Sequence, residues 1–142
     1  MTDRSIAVVT GATGAIGSAT ADHLIQAGWD VALVARDADR VADMASDLGP
    51  QGHPFQADAL SSASLDAAFA DVIARLGPPT ALVHAVGSTL LRPSHAIKDD
   101  EFDAVIATNL TSSFYALRAF VRAVPRTEAG SALFFSSAAP PL

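Results

Sequence analysis

The sequence predicts an α/β fold in which one mostly parallel sheet of five strands lies between layers of helices. Short runs rich in β-branched residues alternate with longer amphipathic stretches, which is typical of repeated strand–helix units. Most of these runs are apolar at nearly every position, so the strands should be buried on both faces. Half of the 142 residues are hydrophobic and only 17% are charged, which favours a well-buried globular core.

Each predicted strand is a short apolar run bounded by polar or turn-forming residues. The predicted strands span residues 6–10, 30–36, 52–57, 80–86 and 131–137. The third run, GHPFQA, is the least apolar, and we expect it nearer an edge of the sheet. The other four read as strands that are covered on both faces.

Four helices are predicted between these strands. They span residues 15–27, 38–48, 62–76 and 100–124. Gly28 and Gly77 are stop signals after the first and third helices. Ser61 or Ser62 can cap the start of the third helix with its hydroxyl group.

Composition and charge disfavour several classes of function. A net charge of −6 opposes the electrostatic attraction that nucleic-acid binding requires. No run reaches the roughly 18 apolar residues of a membrane span, and no signal-peptide pattern opens the chain. The four histidines show no metal-ligand spacing, and His84 is expected to be packed or singly hydrogen-bonded. We therefore expect a single cytoplasmic domain over residues 1–142, without a metal, nucleic-acid or membrane partner.

The stretch TGATGAIG at residues 10–17 lies between the first strand and the first helix. Gly11 permits a tight turn, Gly14 lets the main chain approach a pyrophosphate, and Gly17 lets the helix pack closely on the strand. The free N–H groups of the helix would then face the phosphates. A glycine triplet alone is weak evidence, since glycines also end strands for structural reasons. Its position in a strand–helix–strand unit indicates a dinucleotide site.

The end of the second strand bears on the choice between NADP(H) and NAD(H). Arg36 can pair with a 2′-phosphate, and Arg40 follows one helical turn later. Alternatively, Arg36 is an ordinary surface residue and Asp37 is the N-cap of the next helix. We expect NADP(H), with NAD(H) left open.

These features resemble the short-chain dehydrogenase/reductase family along essentially the whole chain. The turn at residues 10–17 is similar to the cofactor turn of the family, with Ala15 where classical members usually have glycine. The spacing of the three glycines is closer to the extended subfamily. The resemblance implies a Rossmann-type doubly wound fold. It also implies hydride transfer between the nicotinamide of NAD(P)(H) and the carbon of a small-molecule carbonyl or alcohol.

The resemblance also implies a set of cofactor-binding residues. Asp58 matches the aspartate that contacts the adenine ring, with a helix cap or turn residue as the alternative. Gly87 matches the last residue of the Asn-Asn-Ala-Gly motif, in which His84 and Ala85 replace both asparagines. The implied set comprises Thr10, Gly11, Thr13, Gly14, Ile16, Gly17, Arg36, Asp58, Ala85 and Gly87.

Two catalytic residues are implied by the same resemblance. Asn109 matches an asparagine that holds a water in a proton relay, and Ser137, rather than Ser136, matches the catalytic serine. A hydroxyl there would polarise a substrate carbonyl by hydrogen bonding. The Tyr-x-x-x-Lys pair of the family falls beyond Leu142, so we expect this N-terminal half to bind cofactor weakly and to turn over nothing alone.

The missing half has physical consequences for the surface. Residues 132–135 would form a bare apolar strand edge, and the fourth helix would expose a stripe formed by Phe114, Leu117, Phe120 and Val121. We therefore expect a homo-oligomer or a complementing C-terminal half. The alternative class is a non-catalytic nucleotide-binding or assembly module, and a flavodoxin-like domain for another nucleotide is a third reading.

Overall fold

In the computed structural model, which describes residues 4–138, a parallel sheet of five strands has the order β3-β2-β1-β4-β5. The third predicted strand is at an edge, as expected. The chain winds outward from β1 in both directions, so the switch point lies between β1 and β4. The strands are β1 (Ile6–Thr10), β2 (Asp30–Ala35), β3 (Gly52–Gln56), β4 (Ala81–His84) and β5 (Ser131–Phe134).

The helices occupy the predicted places, but the last predicted helix is not uniform. A π-helical segment, Ala107–Thr111, interrupts it and separates α4 from α5. A single 3₁₀ turn, Ser94–Ala96, precedes α4 in the loop after β4. The α-helices are α1 (Ala15–Gln26), α2 (Ala38–Leu48), α3 (Ser62–Arg75), α4 (Asp99–Ile106) and α5 (Ser112–Ala123). No helix in the described part of the chain is long and apolar enough to cross a membrane.

Two apolar clusters cover the two faces of the sheet. On one face, Val8 and Leu82 pack with residues of α3 and α5, including Leu65 and Phe120. On the other face, Val9 and its neighbours pack with residues of α1 and α2. Because successive residues of a strand point to opposite faces, the continuous apolar runs of β1 and β2 fill both clusters.

The local signals at the helix ends act as the sequence predicts. The Asp37 carboxylate accepts a hydrogen bond from the Arg40 backbone N–H, and Ser61 caps α3 in the same way through Ser64. Gly28 and Gly77, which follow α1 and α3, have φ angles of +91° and +106°. These left-handed conformations favour glycine and end both helices.

Two predictions about burial are wrong. We expected β5 to be covered on both faces, but all four of its residues are exposed, because this edge strand packs mainly against β4 in the described residues. It also ends at Phe134 and not at residue 137. Phe120 is only 3% exposed and belongs to the core, whereas Phe114, Leu117 and Val121 form the exposed stripe of α5.

Candidate functional site

A cleft lies at the carboxyl ends of β1, β2 and β4, where ligands bind in open α/β sheets. Its volume is about 370 Å³, and we call it the first cleft. β4 ends at His84, two residues earlier than predicted, because the chain leaves the sheet there to form one wall. The predicted residues that line this cleft are Thr10, Gly11, Thr13, Gly14, Arg36, Asp58, Ala85 and Gly87.

The glycines of the turn meet different steric demands. Gly11 has φ +70°, and a Cβ there would lie 2.5 Å from the carbonyl oxygen of Ala85. A Cβ on Gly17 would overlap the Gly11 carbonyl group, so this residue lies behind the turn and lines neither cleft. At Gly14, a Cβ would make only an ordinary contact of 3.4 Å with the Gly11 oxygen. Packing within the chain therefore requires glycine at positions 11 and 17, and position 14 faces the cleft.

The N-terminus of α1 opens at the first cleft without a charge-compensating group. Its N-cap is Gly14, which has no side chain, and no acidic residue occupies the first turn. The first N–H groups of a helix lack partners within the helix, and its dipole places partial positive charge there. This end of α1 is therefore suited to an anion such as a phosphate.

Arg36 follows β2, Asp58 lies after β3, and both residues line the first cleft. No carboxylate among residues 4–138 comes within ion-pair distance of the Arg36 guanidinium. One Asp58 oxygen, Oδ1, accepts a hydrogen bond of 2.9 Å from the Leu60 backbone N–H. The turn role foreseen for Asp58 is thus present, while its carboxylate still lines the cleft. Arg40 lies outside this cleft, in a shallow depression that it shares with Thr13.

A second cleft of about 520 Å³ adjoins the first. Residues 85–88 line both clefts and form the wall between them. The second cleft brings together the two predicted catalytic residues, Asn109 and Ser137, although they lie on different elements. Ile16, predicted among the cofactor-binding residues, also lines the second cleft and not the first.

Asn109 lies within the π-helical segment and holds the loop after β4. Its Oδ1 accepts a hydrogen bond of 3.0 Å from the Ser88 N–H, and its Nδ2 donates to the Ser88 carbonyl at 2.9 Å. Nδ2 also donates to the Val105 carbonyl at 3.0 Å. A Cβ on Gly87 would approach the Asn109 Oδ1 to 3.0 Å, which explains a glycine beside this contact. π-helical turns are frequent at functional sites, and here the turn presents Asn109 to the loop.

His84 makes more contacts than the sequence indicates. Its Nδ1 lies 2.7 Å from Thr10 Oγ1 and its Nε2 lies 3.0 Å from Ser112 Oγ, so it has two hydrogen bonds and not one. Burial lowers the pKa of His84 to about 4, and the imidazole is neutral near pH 7. No cluster of residues suited to a metal ion occurs within residues 4–138.

Comparison with known proteins identifies the family. The family model described as short chain dehydrogenase matches residues 5–140. The chain belongs to the short-chain dehydrogenase family. Its sheet and helix layers are accordingly those of a Rossmann-type fold.

Individual relatives of this chain agree with the family match. The 3-oxoacyl-acyl-carrier-protein reductase of Salmonella typhimurium is 30% identical over 132 residues, which cover 93% of this chain and 54% of the relative. The 2,3-dihydro-2,3-dihydroxybenzoate dehydrogenase of Bacillus subtilis is 32% identical over 131 residues, 89% of this chain and 49% of the relative.

A solved structure supports the same fold for this chain. A variant of actinorhodin polyketide ketoreductase, crystallised with NADPH, superposes with a TM-score of 0.82 at 28% identity. The match covers 87% of this chain and 48% of the ketoreductase. The chain thus spans about half the length of the relatives it matches.

Some residues that line the two clefts were not foreseen from the sequence. Val86, Ser88 and Thr108 line the first cleft, and Thr89 and Ser113 line the second. The available signal was positional: the loop after β4 leaves the sheet at the switch point, where ligand contacts concentrate. None of these residue types has chemistry that distinguishes it from an ordinary loop or helix residue.

Proposed function

We propose that this short-chain dehydrogenase binds NADP(H) in the first cleft, as the cofactor-binding half of an oxidoreductase acting on a carbonyl or alcohol. The supporting observation is the meeting of three groups at one cleft. These are the N-terminus of α1, whose N-cap Gly14 provides no side-chain hydrogen bond, the Arg36 guanidinium and the Asp58 carboxylate. A dinucleotide phosphate presents the matching charges, an anionic pyrophosphate and an anionic 2′-phosphate.

Each group has a distinct binding role in this proposal. The backbone N–H groups at the start of α1 bind the pyrophosphate, and Gly14 leaves room for its approach. Arg36 pairs with the 2′-phosphate through its planar guanidinium, and Asp58 accepts a hydrogen bond from the adenine amino group. NADP(H), when bound, supplies the nicotinamide that accepts or donates the hydride. NAD(H) would lack the group that Arg36 recognises.

The second cleft is proposed as the site of the small-molecule carbonyl or alcohol. Ser137 would donate a hydrogen bond to the substrate oxygen and polarise the bond to carbon. Asn109 fixes the Ser88 backbone, and with it the wall between cofactor and substrate. The general acid of the reaction is not among these residues, and in this proposal it belongs to the portion of the family fold that this chain does not span.

Selectivity between the two cofactors tests the proposal. Isothermal titration of the protein with NADPH and NADH should show tighter binding of NADPH. The variant Arg36→Ala should lose about tenfold to a hundredfold in NADPH affinity, the range of a charged hydrogen bond, with NADH little changed. Arg126→Ala is the control, because Arg126 is exposed after the end of α5 and lines neither cleft. Equal losses for both cofactors, or none, would remove Arg36 from the proposed role.

A second copy of the chain is proposed as the partner of the exposed α5 face. Phe114, Leu117 and Val121 are exposed there, and the Nε atom of Arg118 is buried without a hydrogen-bond partner in the described chain. The start of α4 carries Asp99, Asp100 and Asp103, whereas α5 carries Arg118 and Arg122. Antiparallel pairing of this face with a two-fold copy would set opposite charges against each other and cover the apolar stripe.

A further inference from the structure

A buried chain of hydrogen bonds runs from the glycine turn to the π-helical segment. His84 ends β4, is only 3% exposed, and contacts Thr10 Oγ1 at 2.7 Å and Ser112 Oγ at 3.0 Å. Ser112 Oγ lies 2.5 Å from the carbonyl oxygen of Thr108. These hydrogen bonds therefore connect β1, by way of β4, to the π-helical segment that contains Asn109.

The acceptor atoms determine which group donates the proton in each of these hydrogen bonds. A carbonyl oxygen only accepts, so the Ser112 hydroxyl donates its single proton to Thr108. Ser112 Oγ must then accept from the Nε2–H of His84, and Nδ1 of the neutral ring accepts from the Thr10 hydroxyl. The alternative acceptor of the Thr10 hydroxyl, the Val83 carbonyl, is 3.5 Å away and weaker. The ring is thus held as the Nε2–H tautomer.

The surroundings of His84 keep its ring neutral. The neighbours of the His84 ring include Thr10 on β1, Ser112 on α5 and Phe134 on β5, whose ring centroid is 5.7 Å away. None of the three carries a charge. A neutral ring provides one donor and one acceptor, which the two hydroxyl groups use completely.

We propose that His84 is a positioning residue that fixes the wall between the two clefts. Through Ser112 and Thr108 it holds the π-helical segment, and Asn109 in that segment holds Ser88 by two hydrogen bonds. Thr10, Thr108 and Ser88 all line the first cleft, so a shift anywhere in the chain of bonds changes the shape of that cleft. The consequence for cofactor affinity rests on the proposed function, whereas the coupling of His84 to Ser88 does not.

Three substitutions separate the two arms of the histidine. His84→Asn keeps an acceptor near the Nδ1 position and loses the donor to Ser112. His84→Gln can place an amide N–H near the Nε2 position and so retain that donor. Ser112→Ala removes the same link from the other side. Thr20→Ala is the matched control, because the Thr20 hydroxyl makes a comparable bond of 2.8 Å to the Ile16 carbonyl on α1, outside this chain of bonds.

Two NMR signals are followed, those of the Asn109 side-chain amide and the Ser88 backbone amide. The NADPH dissociation constant is the third measurement. All three are made under conditions in which each variant is fully folded. We expect His84→Asn and Ser112→Ala to shift both signals and to weaken NADPH binding about fivefold, the size of one hydrogen bond. The double variant should cost no more than either single variant. His84→Gln should restore the signals, and Thr20→Ala should leave them unchanged.

Failure of the positioning role and failure of the proposed function would give different results. Folded His84→Asn and Ser112→Ala proteins with unchanged Asn109 and Ser88 signals would overturn the positioning role and leave His84 as a core residue alone. If the wild-type protein fails to bind NADPH, the proposed function fails. The NMR signals then still decide whether His84 positions the loop.

Discussion

Gly17 of α1 packs directly on the carbonyl group of Gly11, so the first turn of the helix and the turn that precedes it form one rigid unit. The contact is between backbone atoms, which cannot move aside as a flexible side chain can. The N–H groups at the start of α1 are thereby held at the mouth of the first cleft.

Alanine substitutions at positions 14 and 17 should affect different properties, cofactor binding at position 14 and stability at position 17. Gly17→Ala should reduce the free energy of unfolding by about 1–3 kcal/mol, the usual cost of overpacking, although alanine ordinarily favours a helix. Gly14→Ala should change the stability little, since its Cβ meets only one contact of 3.4 Å, but should weaken NADPH binding. Urea denaturation and cofactor titration measure the two effects. A Gly17→Ala protein as stable as the wild type would contradict the packing argument.

Asn109 should control the mobility of the loop after β4. Asn109→Ala removes both hydrogen bonds to Ser88, so the Ser88 amide should lose its protection against hydrogen exchange. The stability should fall by about 1–3 kcal/mol, as expected when backbone groups lose their partners. Ser113→Ala, which removes a hydroxyl bonded to the Asn109 carbonyl, provides the comparison, because it leaves the side-chain amide of Asn109 in place. Unchanged exchange of Ser88 in Asn109→Ala would be inconsistent with this role.

The depressed pKa of His84 makes stability depend on pH. In the folded protein this pKa is about 4, against 6.5 for an unperturbed histidine, so below pH 6.5 the unfolded chain binds more protons. The contribution is complete above pH 6.5, decreases as the pH falls, and is lost below about 4. A shift of this size corresponds to about 3 kcal/mol. The difference in unfolding free energy between wild type and His84→Gln, measured from pH 7.5 to 4, should decrease accordingly.

Other groups titrate over the same range, and comparison with His84→Gln separates their contribution from that of His84. Carboxylates are common to wild type and His84→Gln, so their effects cancel in the difference. A difference that is constant across the range would mean that His84 titrates normally in the folded protein.

The exposed stripe of α5 should determine the association state. Val121→Asp, at a side chain that is 62% exposed, should shift the protein towards monomers in sedimentation velocity experiments, because it places a charge in the proposed interface. Leu91→Asp is the control, since Leu91 is 93% exposed in the loop before α4 and away from the stripe. A wild-type protein that is monomeric at all concentrations, or a Val121→Asp protein that associates unchanged, would exclude a second copy as the partner.

Much of the fold could be predicted from the sequence because its signals are local. Apolar runs marked the strands, and Gly28, Gly77 and Ser61 marked helix ends through their own backbone or hydroxyl chemistry. The π-helical segment was missed, because nothing in its composition distinguishes it from an α-helical turn. Phe120 is buried although the pattern placed it in the exposed stripe, because it continues the i, i+4 series of Ser112 and Ala116 on the core face of α5.

The candidate site was predictable in its residues but only partly in its connections. The strand–helix–strand pattern indicated the glycine turn and Arg36, and the family resemblance indicated Asp58, Asn109 and Ser137. Apart from Gly17, these glycines and side chains line the two adjoining clefts. The partners of His84 could not be foreseen, because Thr10 and Ser112 lie 74 and 28 positions away in the sequence. Such contacts depend on the register of β1 against β4 and on the packing of α5.

The most direct test of the account is an NMR titration of the assigned protein with NADPH. We expect the largest amide shifts at Gly11, Gly14 and Ala85, which line the first cleft, and smaller ones at Asn109 in the adjoining second cleft. Thr80 and Glu128 line a separate cavity at the amino ends of the strands, and their amide signals should remain unchanged. Shifts confined to that opposite end, or none at millimolar NADPH, would contradict a dinucleotide site at the glycine turn.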